Sequence, residues 1–336
     1  MSTQAIQSLP IVPAPVPAVW RKDLISIADF GSAGVEAALD LGRLVKTRPA
    51  DFRGALAGKQ LALFFEKPSL RTRLTFEAGI NSLGGSSFFF DQTHARLDAR
   101  ENLSDIAHNL ERWIDGIILR TFDHSTVVGI AEHASIPVVN GLSDLEHPCQ
   151  ALADYLTLQE RFGDLRKVKL AYVGDGNNVA HSLMLTAACL GGSMRVATPP
   201  GYEPSRKIAN LALDLAKETG ASIKITTDAA KAVTGADAVY TDVWASMGQE
   251  SEAPQRESLF MPYQVNDKLF AKAGSHALFM HCLPAHRGHE VTDSVIDSPR
   301  SVVFDQAENR LHVQKAILLM LLGGGMQRMT NWRAHA

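Results

Sequence analysis

A dense cluster of arginine and hydroxyl side chains lies at residues 69–73 (SLRTR), soon after the apolar run LALFF. Pro68 and Ser69 are typical of a helix start, where the first N–H groups are unpaired and carry a partial positive charge. Ser69 and Thr72 add hydroxyl donors, and the guanidinium of Arg71 can bind two oxygens at once. The cluster therefore predicts a phosphate site at a helix N-terminus. A simple serine cap with solvated arginines fits the same residues, so this motif alone leaves the choice open.

Two further motifs offer directed polar groups. Pro148 suits the first turn of a helix, so His147 and Gln150 beside it either hold a small carbonyl or amide group or cap that helix. Asp242 follows an apolar run and is a candidate partner for an ammonium group, while the loop around Ser246 could offer N–H groups to a carboxylate. A turn with a capping aspartate is the alternative.

Arginines at two other positions indicate an anion. Arg120 ends the apolar run GIILR, and Arg310 lies near the start of the last helical pattern. A buried guanidinium without a partner is costly, so each predicts an anionic partner in a cleft.

The sequence disfavours a cysteine nucleophile and a zinc site. His281 and Cys282 are adjacent in an apolar strand, where neighbouring side chains point to opposite faces, so His281 is not placed to activate Cys282. The histidine–cysteine pairs at 147–149 and 281–282 also lack the usual spacing of zinc ligands.

A dinucleotide cofactor is not expected either. Residues 174–178 (GDGNN) resemble the start of a dinucleotide fingerprint, but valine occupies position 179 in place of the third glycine. The next strand, MRVATPPGY, ends without an acidic residue to bind a ribose hydroxyl. The asparagines could instead bind a polar substrate.

The elements that position these residues alternate between short apolar runs and longer amphipathic ones. Strands are predicted at 61–65, 86–90, 116–120, 136–140, 169–174, 194–199, 222–227, 237–243, 277–282 and 301–305. Helices are predicted between them at 69–84, 102–113, 124–134, 178–191 and 204–219. This alternation predicts an α/β protein with two doubly wound parallel-sheet domains joined by a hinge helix near 141–165. The motifs fall after strands, at the edge where parallel sheets bind ligands, so the active site is expected in the cleft between the domains.

The overall composition excludes several partners. The chain has 336 residues, a net charge of -3 and 46% hydrophobic residues, which suits a globular protein of two domains and gives no indication of nucleic acid. Three cysteines do not form a disulfide framework, so a reducing compartment and the cytoplasm are expected. No apolar run is long enough to span a membrane. Residues 1–20 are proline-rich and predict an extended, mobile tail.

Taken together, the motifs resemble one family. SLRTR, HPCQALAD, YVGDGNNVAHS, TDVWASMGQE, HCLPAHRG and FDQAENR occur in this order over most of the chain. The set resembles the ornithine carbamoyltransferases, within the aspartate/ornithine carbamoyltransferase superfamily. The resemblance implies transfer of the carbamoyl group of carbamoyl phosphate to the δ-amino group of L-ornithine, giving L-citrulline and phosphate. It implies a homotrimer with sites at subunit borders, and neither a metal nor an organic cofactor.

The resemblance also implies a division of the chain and a set of roles. Residues 21–150 would bind carbamoyl phosphate, residues 151–315 would bind ornithine, and residues 316–336 would form a helix that packs back on the first domain. The carbamoyl phosphate set would be Ser69, Leu70 (through its backbone), Arg71, Thr72, Arg96, Arg120, His147, Gln150, Cys282, Leu283 (through its carbonyl) and Arg310. The ornithine set would be Asn178, Asp242, Ser246 and Met247. Within these sets, catalysis would rest on Arg71, Arg120, His147 and Cys282.

Two departures from the family pattern bear on these roles. Leu70 stands where the family usually has threonine, which is tolerable if that position acts through its N–H. Arg96 stands in the loop 91–101 where the family has a neutral glutamine; a guanidinium could reach the carbamoyl phosphate of an adjacent subunit, or could point to solvent. The loop lysine of the aspartate branch is absent, which argues against L-aspartate as acceptor. N-acetylornithine and putrescine remain alternative acceptors. A different function, that of a nicotinamide-dependent dehydrogenase, remains a remote alternative.

Overall fold

Two parallel sheets organise the chain, and the computed structural model describes residues 22–92, 96–245 and 252–323. The first sheet has the order β2-β1-β3-β4, with strands β1 (Gln60–Phe65), β2 (Ser86–Asp91), β3 (Gly116–Arg120) and β4 (Val138–Leu142). The second has the order β7-β6-β5-β8-β9, with strands β5 (Lys169–Val173), β6 (Ser193–Ala197), β7 (Ser222–Thr226), β8 (Ala238–Thr241) and β9 (Leu278–His281). Every pairing between these strands is parallel, which confirms the predicted fold class.

Helices cover these sheets, as crossover connections require. They are α1 (Ile27–Thr47), α2 (Leu70–Ser82), α3 (Leu103–Leu110), α4 (His124–His133), α5 (Pro148–Phe162), α6 (Asn178–Leu190), α7 (Arg206–Thr219), α8 (Ala229–Val233), α9 (Ala253–Phe260), α10 (Asp267–Phe270), α11 (Asp293–Ile296) and α12 (Val303–Leu321). Central strands such as β3 are buried along their whole length, which explains their continuous apolar sequences.

The predicted strand at 301–305 is wrong. Ser301 forms one isolated bridge to Phe279 of β9, and α12 begins two residues later at Val303. Asp305 lies in the first turn of α12, where the helix dipole favours an acidic residue, and the apolar pattern continues with helical spacing to Leu321. The short run of β-branched residues therefore ends a loop rather than forming a tenth strand.

Helix α1 was not predicted, because a glycine interrupts its pattern. Gly31 has φ 60° and ψ -177°, a conformation that is open to glycine and breaks the regular helix after its first turn. Ser26 and Asp29 cap that turn reciprocally, Ser26 through Ala28 N–H and Asp29 through the N–H of Ser26. Such local capping fixes the start of the helix without a long amphipathic signal.

Helices α1, α5 and α12 join the two sheets. The hinge helix α5 is buried from Pro148 to Leu158 and packs on α1, α6 and α12, while α12 also contacts α2. The backbone N–H of His147 donates to Ser182 of α6 at 2.9 Å, and Ser182 donates to the buried Glu146 at 3.0 Å. Within the described ranges no helix is both long and apolar enough to cross a membrane. The predicted tail, residues 1–20, lies outside those ranges.

Candidate active site

A cleft of about 420 Å³ opens between the two sheets, beyond the carboxyl ends of β1, β3, β8 and β9. Most of the predicted site residues line it: Ser69, Leu70, Arg71, Thr72, Arg120, His147, Gln150, Asn178, Asp242, Cys282, Leu283 and Arg310. Ser246 and Met247 lie outside the described residues. Arg96 is described but does not line this cleft.

The N-terminus of α2 forms one wall. Ser69 caps the helix and its hydroxyl accepts the N–H of Thr72 at 3.2 Å. The side chain of Leu70 is 71% exposed, so this residue offers the cleft its backbone rather than a packing group. The N–H groups of the first turn have no intrahelical partner and point out of the helix end. The geometry is that of an anion-binding helix terminus with Arg71 and Thr72 at its rim.

Arg310 reaches this wall from α12. Its NH1 donates to Oε1 of Gln150 at 2.7 Å and its NH2 donates to the hydroxyl of Thr72 at 2.7 Å. Arg310 is buried, so these bonds hold its guanidinium in one orientation at the bottom of the cleft. Three elements distant in sequence, α2, α5 and α12, thereby share one hydrogen-bonded cluster.

Three guanidiniums concentrate positive charge in this half of the cleft. Burial, with the charges of Arg310 and Arg71, lowers the pKa of Arg120 to about 9, so Arg120 is still a cation at neutral pH. Burial also lowers the pKa of Arg71 and of Arg310. Burial and the same arginines hold the pKa of His147 well below its usual value, so His147 is neutral. Its Nδ1 is buried and has no hydrogen-bond partner among the residues described.

The opposite wall carries Asp242. One oxygen of its carboxylate accepts the Sγ–H of Cys282 at 3.0 Å, and the other accepts the side-chain N–H of Asn177 at 2.8 Å. Asn177 also caps α6 by accepting the N–H groups of Val179 and Ala180. Burial and the charge of Asp242 raise the pKa of the Cys282 thiol, so Cys282 is a protonated donor rather than a thiolate.

Two residues of the site have positions that the sequence did not predict. The sequence indicates Asn177 only as one of the asparagines that could bind a polar substrate; in the structure it fixes Asp242, and its helix-cap position was the available signal. Lys67 lines the cleft with its ammonium 4.6 Å above the ring of Phe122, and burial and Arg120 lower its pKa. Lys67 follows β1 by two residues, and strand ends of this kind were the signal for the other cations.

The hydrogen bonds of His281 are made to groups other than Cys282, but the strand argument does not apply, because β9 ends at His281. The Nδ1 of His281 accepts the N–H of Leu283 at 2.8 Å, and its Nε2 contacts the buried Glu290 at 3.2 Å. The ring therefore anchors the turn after β9, where Leu283 has φ 58° and precedes a cis Pro284. Ligand atoms of Asp242, His281 and Cys282 lie within 4.8 Å of one another, but these hydrogen bonds already occupy both nitrogens of His281.

The loop after β5 is filled by the chain itself. A Cβ on Gly176 would lie 2.3 Å from the backbone N of Pro204, so this glycine is needed for close approach of the 202–204 segment. The N–H of Gly176 donates to the carbonyl of Tyr202 at 2.9 Å. Protein backbone thus occupies the space beside this glycine, and the fingerprint is not used for a pyrophosphate.

Two family models match consecutive parts of the chain. The carbamoyl-phosphate-binding domain of the aspartate/ornithine carbamoyltransferases matches residues 22–160, and the aspartate/ornithine-binding domain matches residues 166–321. The chain belongs to the aspartate/ornithine carbamoyltransferase family. An ornithine carbamoyltransferase from Thermococcus kodakarensis is 50% identical over 305 residues, which cover 90% of this chain and 97% of that protein.

Solved structures of the carbamoyltransferase family agree with the fold. That of ornithine carbamoyltransferase from Pyrococcus furiosus has a TM-score of 0.88 and 48% identity, covering 93% of this chain and 99% of that one. An N-acetyl-L-ornithine transcarbamylase mutant complexed with PALAO has a TM-score of 0.80 and 32% identity, covering 89% and 99%. The fold is therefore common to carbamoyltransferases with different acceptors, and the acceptor must be argued from the site.

Proposed function

We propose that the chain transfers the carbamoyl group of carbamoyl phosphate to the δ-amino group of L-ornithine, giving L-citrulline and phosphate. The observation that carries this proposal is the polarity of the cleft. Its α2 side gathers Arg71, Arg120 and Arg310 around a helix N-terminus, and its far side presents the carboxylate of Asp242 beside Cys282. A dianionic acyl phosphate suits the first half, and an amino acid with two ammonium groups suits the second.

The reaction follows from this arrangement. The neutral δ-amine attacks the carbonyl carbon, a C–N bond forms, and negative charge develops on the carbonyl oxygen. The C–O bond to phosphate then breaks, and the departing phosphate takes the proton that the attacking nitrogen loses. Arg71, Arg120 and the neutral His147 would donate to that oxygen, and such preorganised donors stabilise charge as it develops. Holding both substrates in one cleft supplies the proximity that a two-substrate transfer needs. A protonated Cys282 would lie beside the amine as a hydrogen-bonding group, not as a nucleophile.

A citrulline-forming assay with a panel of acceptors tests the proposal. We expect turnover with L-ornithine to exceed that with putrescine, N-acetylornithine and L-aspartate, because paired polar groups reject ligands that lack the partner. Relatives of about 50% identity named ornithine carbamoyltransferase support this choice. Equal turnover of putrescine, which has no carboxylate, would contradict recognition of an amino-acid carboxylate. Equal turnover of N-acetylornithine, which has no α-ammonium group, would contradict the role assigned to Asp242.

The assembly is proposed to be a homotrimer that works in the cytoplasm. Strand β2 is the edge of the first sheet and exposes Phe88 and Phe90, and Trp113 beside them is 67% exposed. Together they border an apolar depression of about 820 Å³, which a second copy of the chain would cover. Analytical ultracentrifugation measures the mass of the assembly formed by the wild-type protein and by Trp113→Asp. The wild type should have the mass of a trimer and the variant a lower mass. A variant with an unchanged mass would place the interface elsewhere.

The three cysteines are free thiols, which suits a reducing compartment such as the cytoplasm.

Arg96 is proposed to act across the subunit border of the trimer. Within one chain Arg96 pairs with Asp123 at 2.6 Å and its side chain is half exposed, so the guanidinium lies on the surface. Mixed trimers of Arg96→Ala and Arg71→Ala test the shared site, because some hybrid sites would carry neither lesion and regain activity. Two outcomes would exclude Arg96 from the site: full activity of Arg96→Ala alone, or mixed trimers that stay inactive when both variants are inactive by themselves.

A further inference from the structure

Asp154 is a buried carboxylate that none of the roles above uses. It lies on the hinge helix α5, one turn after Gln150, and has no exposed surface. Its Oδ1 accepts the side-chain N–H groups of Gln150 and Gln306, each at 2.8 Å, and its Oδ2 accepts the hydroxyl of Tyr240 at 3.0 Å. Three donors from three elements therefore converge on one carboxylate.

The contacts of Asp154 and Arg310 together determine which way the amide of Gln150 faces. Oδ1 of Asp154 accepts the side-chain N–H of Gln150 at 2.8 Å, so the NH₂ of Gln150 faces Asp154. The amide oxygen must then face the cleft, where it accepts from NH1 of Arg310 at 2.7 Å. A reversed amide would set oxygen against carboxylate at one end and NH₂ against guanidinium at the other.

That orientation matters for a carbamoyl group, whose NH₂ can only donate. Gln150 lines the cleft beside Thr72 and Arg310, and its oxygen is a neutral acceptor among cationic donors. A donor-only ligand group needs such an acceptor, whereas the phosphate of the same substrate needs donors. Gln150 can therefore distinguish the carbamoyl end from the phosphate end only while its oxygen points inward.

The second glutamine extends the network to the other wall. Gln306 donates to Asp154 and accepts the backbone N–H of His281 at 3.0 Å, at the end of β9 and one residue before Cys282. Tyr240 belongs to β8, the strand that leads to Asp242. One carboxylate thus links the hinge helix to the elements that carry both sides of the cleft.

We propose that Asp154 is a positioning residue for carbamoyl transfer: it holds the oxygen of Gln150 toward the carbamoyl NH₂ and so makes the site selective for carbamoyl phosphate over inorganic phosphate. The proposal rests on the proposed function. A merely structural buried carboxylate would affect stability, and would weaken both anions together or neither.

The test compares two ligands in Asp154→Asn. Burial raises the pKa of Asp154 to about 7, so the assay is run at about pH 8.5, where the wild-type carboxylate is ionised. The amide of asparagine keeps the shape but lacks the charge, and hydrogen bonds to a charged acceptor are about twice as strong as neutral ones. We expect the KM for carbamoyl phosphate to rise roughly tenfold, while the inhibition constant of inorganic phosphate stays within about twofold. Thr157→Val is the matched control, because Thr157 is buried one turn further along α5 and bonds to Asn309 of α12 without reaching the cleft. It should change neither constant.

The outcomes separate this inference from the function itself. Wild-type protein that forms no citrulline would overturn the proposed function, whatever the variants do. Active wild-type protein with equal changes in both constants, or with none, would overturn the role of Asp154. Should Asp154→Asn fail to fold, Tyr240→Phe removes one donor to the carboxylate and keeps the ring. A smaller shift in the same selective direction supports the proposal, and the absence of any selective shift overturns it.

Discussion

Replacing Arg71 with alanine should abolish most activity without loss of stability. Arg71 is the second residue of α2, where alanine is a good helix former, so the helix should persist. Burial lowers the pKa of Arg71, and the charge of Asp242 opposes this effect. Removing the guanidinium relieves its repulsion of Arg120 and Arg310 but also loses the attraction of Asp242. These effects oppose each other, so we expect the free energy of unfolding to stay within about 1 kcal/mol of wild type.

The catalytic effect of this change should be far larger. Loss of one preorganised donor to a developing oxyanion typically costs about 10²–10³ in kcat, or roughly 3–4 kcal/mol of transition-state stabilisation. The assay is citrulline formation at saturating concentrations of both substrates, alongside urea unfolding of the same preparations. Turnover of Arg71→Ala within about threefold of wild type would refute the placement of Arg71 at the reacting carbonyl.

Arg73→Ala is the matched control, since Arg73 belongs to the same turn but faces away from the cleft. Its Nε contacts Glu77 at 3.3 Å and its guanidinium lies 3.6 Å from the centre of the Phe89 ring. An exposed ion pair and a cation–π contact together contribute about 1 kcal/mol. We therefore expect the reverse pattern, with lower stability and retained activity. If both variants lost activity alike, the effect would belong to the helix and not to the Arg71 charge.

Three further predictions concern single contacts. Leu70→Pro removes one N–H at the first helical position, where proline fits, and Ser69 already has the extended backbone that precedes proline. The KM for carbamoyl phosphate should rise about tenfold in this variant and stay unchanged in Leu70→Thr. Equal KM values in the two variants would exclude the role of the Leu70 backbone. Burial raises the pKa of Glu146 to about 7 from its ordinary 4.5, so the native state keeps a proton that the unfolded state releases, and stability should fall as pH rises between these values. Glu146→Gln should remove up to roughly 3 kcal/mol of that dependence in urea unfolding at pH 5 and pH 8, and parallel curves would contradict it. Asn177→Ser keeps the helix cap but loses the donor to Asp242. The KM for ornithine should therefore rise about three- to tenfold, while the KM for carbamoyl phosphate stays unchanged. An unchanged KM for ornithine would mean that Asn177 only caps α6.

The sequence predicted the cleft because parallel sheets constrain where function can lie. Strand ends are local features: Arg120 is the last residue of β3 and Asp242 comes directly after β8, so both can be placed at the carboxyl-end edge of a sheet. The motif at 69–73 carried both a helix start and its charges in five residues. The order of strands and helices was therefore enough to predict that Arg120, Asp242 and the motif at 69–73 lie in the cleft between the two domains.

Side-chain partners could not be predicted in the same way. Arg310 was expected near an anion, but its bonds to Thr72 and Gln150 join residues 238 and 160 positions away. Such pairs depend on how α12 packs against α2 and α5, which no local periodicity specifies. The strand predicted at 301–305 failed for a related reason, because a β-branched run has no single meaning until the packing of its neighbours is known.

The indirect link between Arg310 and Asp154 explains how the cleft keeps its charge. A guanidinium in direct contact with a buried carboxylate would be neutralised as a pair and would bind an incoming anion weakly. Here Arg310 donates to the neutral amide of Gln150, and that amide donates to Asp154. The arginine is held in one orientation, yet its positive charge still faces the cleft. Burial, with repulsion from Arg310 and Arg71, lowers the pKa of Arg120. An anion bound beside these arginines should offset that repulsion, which favours binding of the substrate to the free protein.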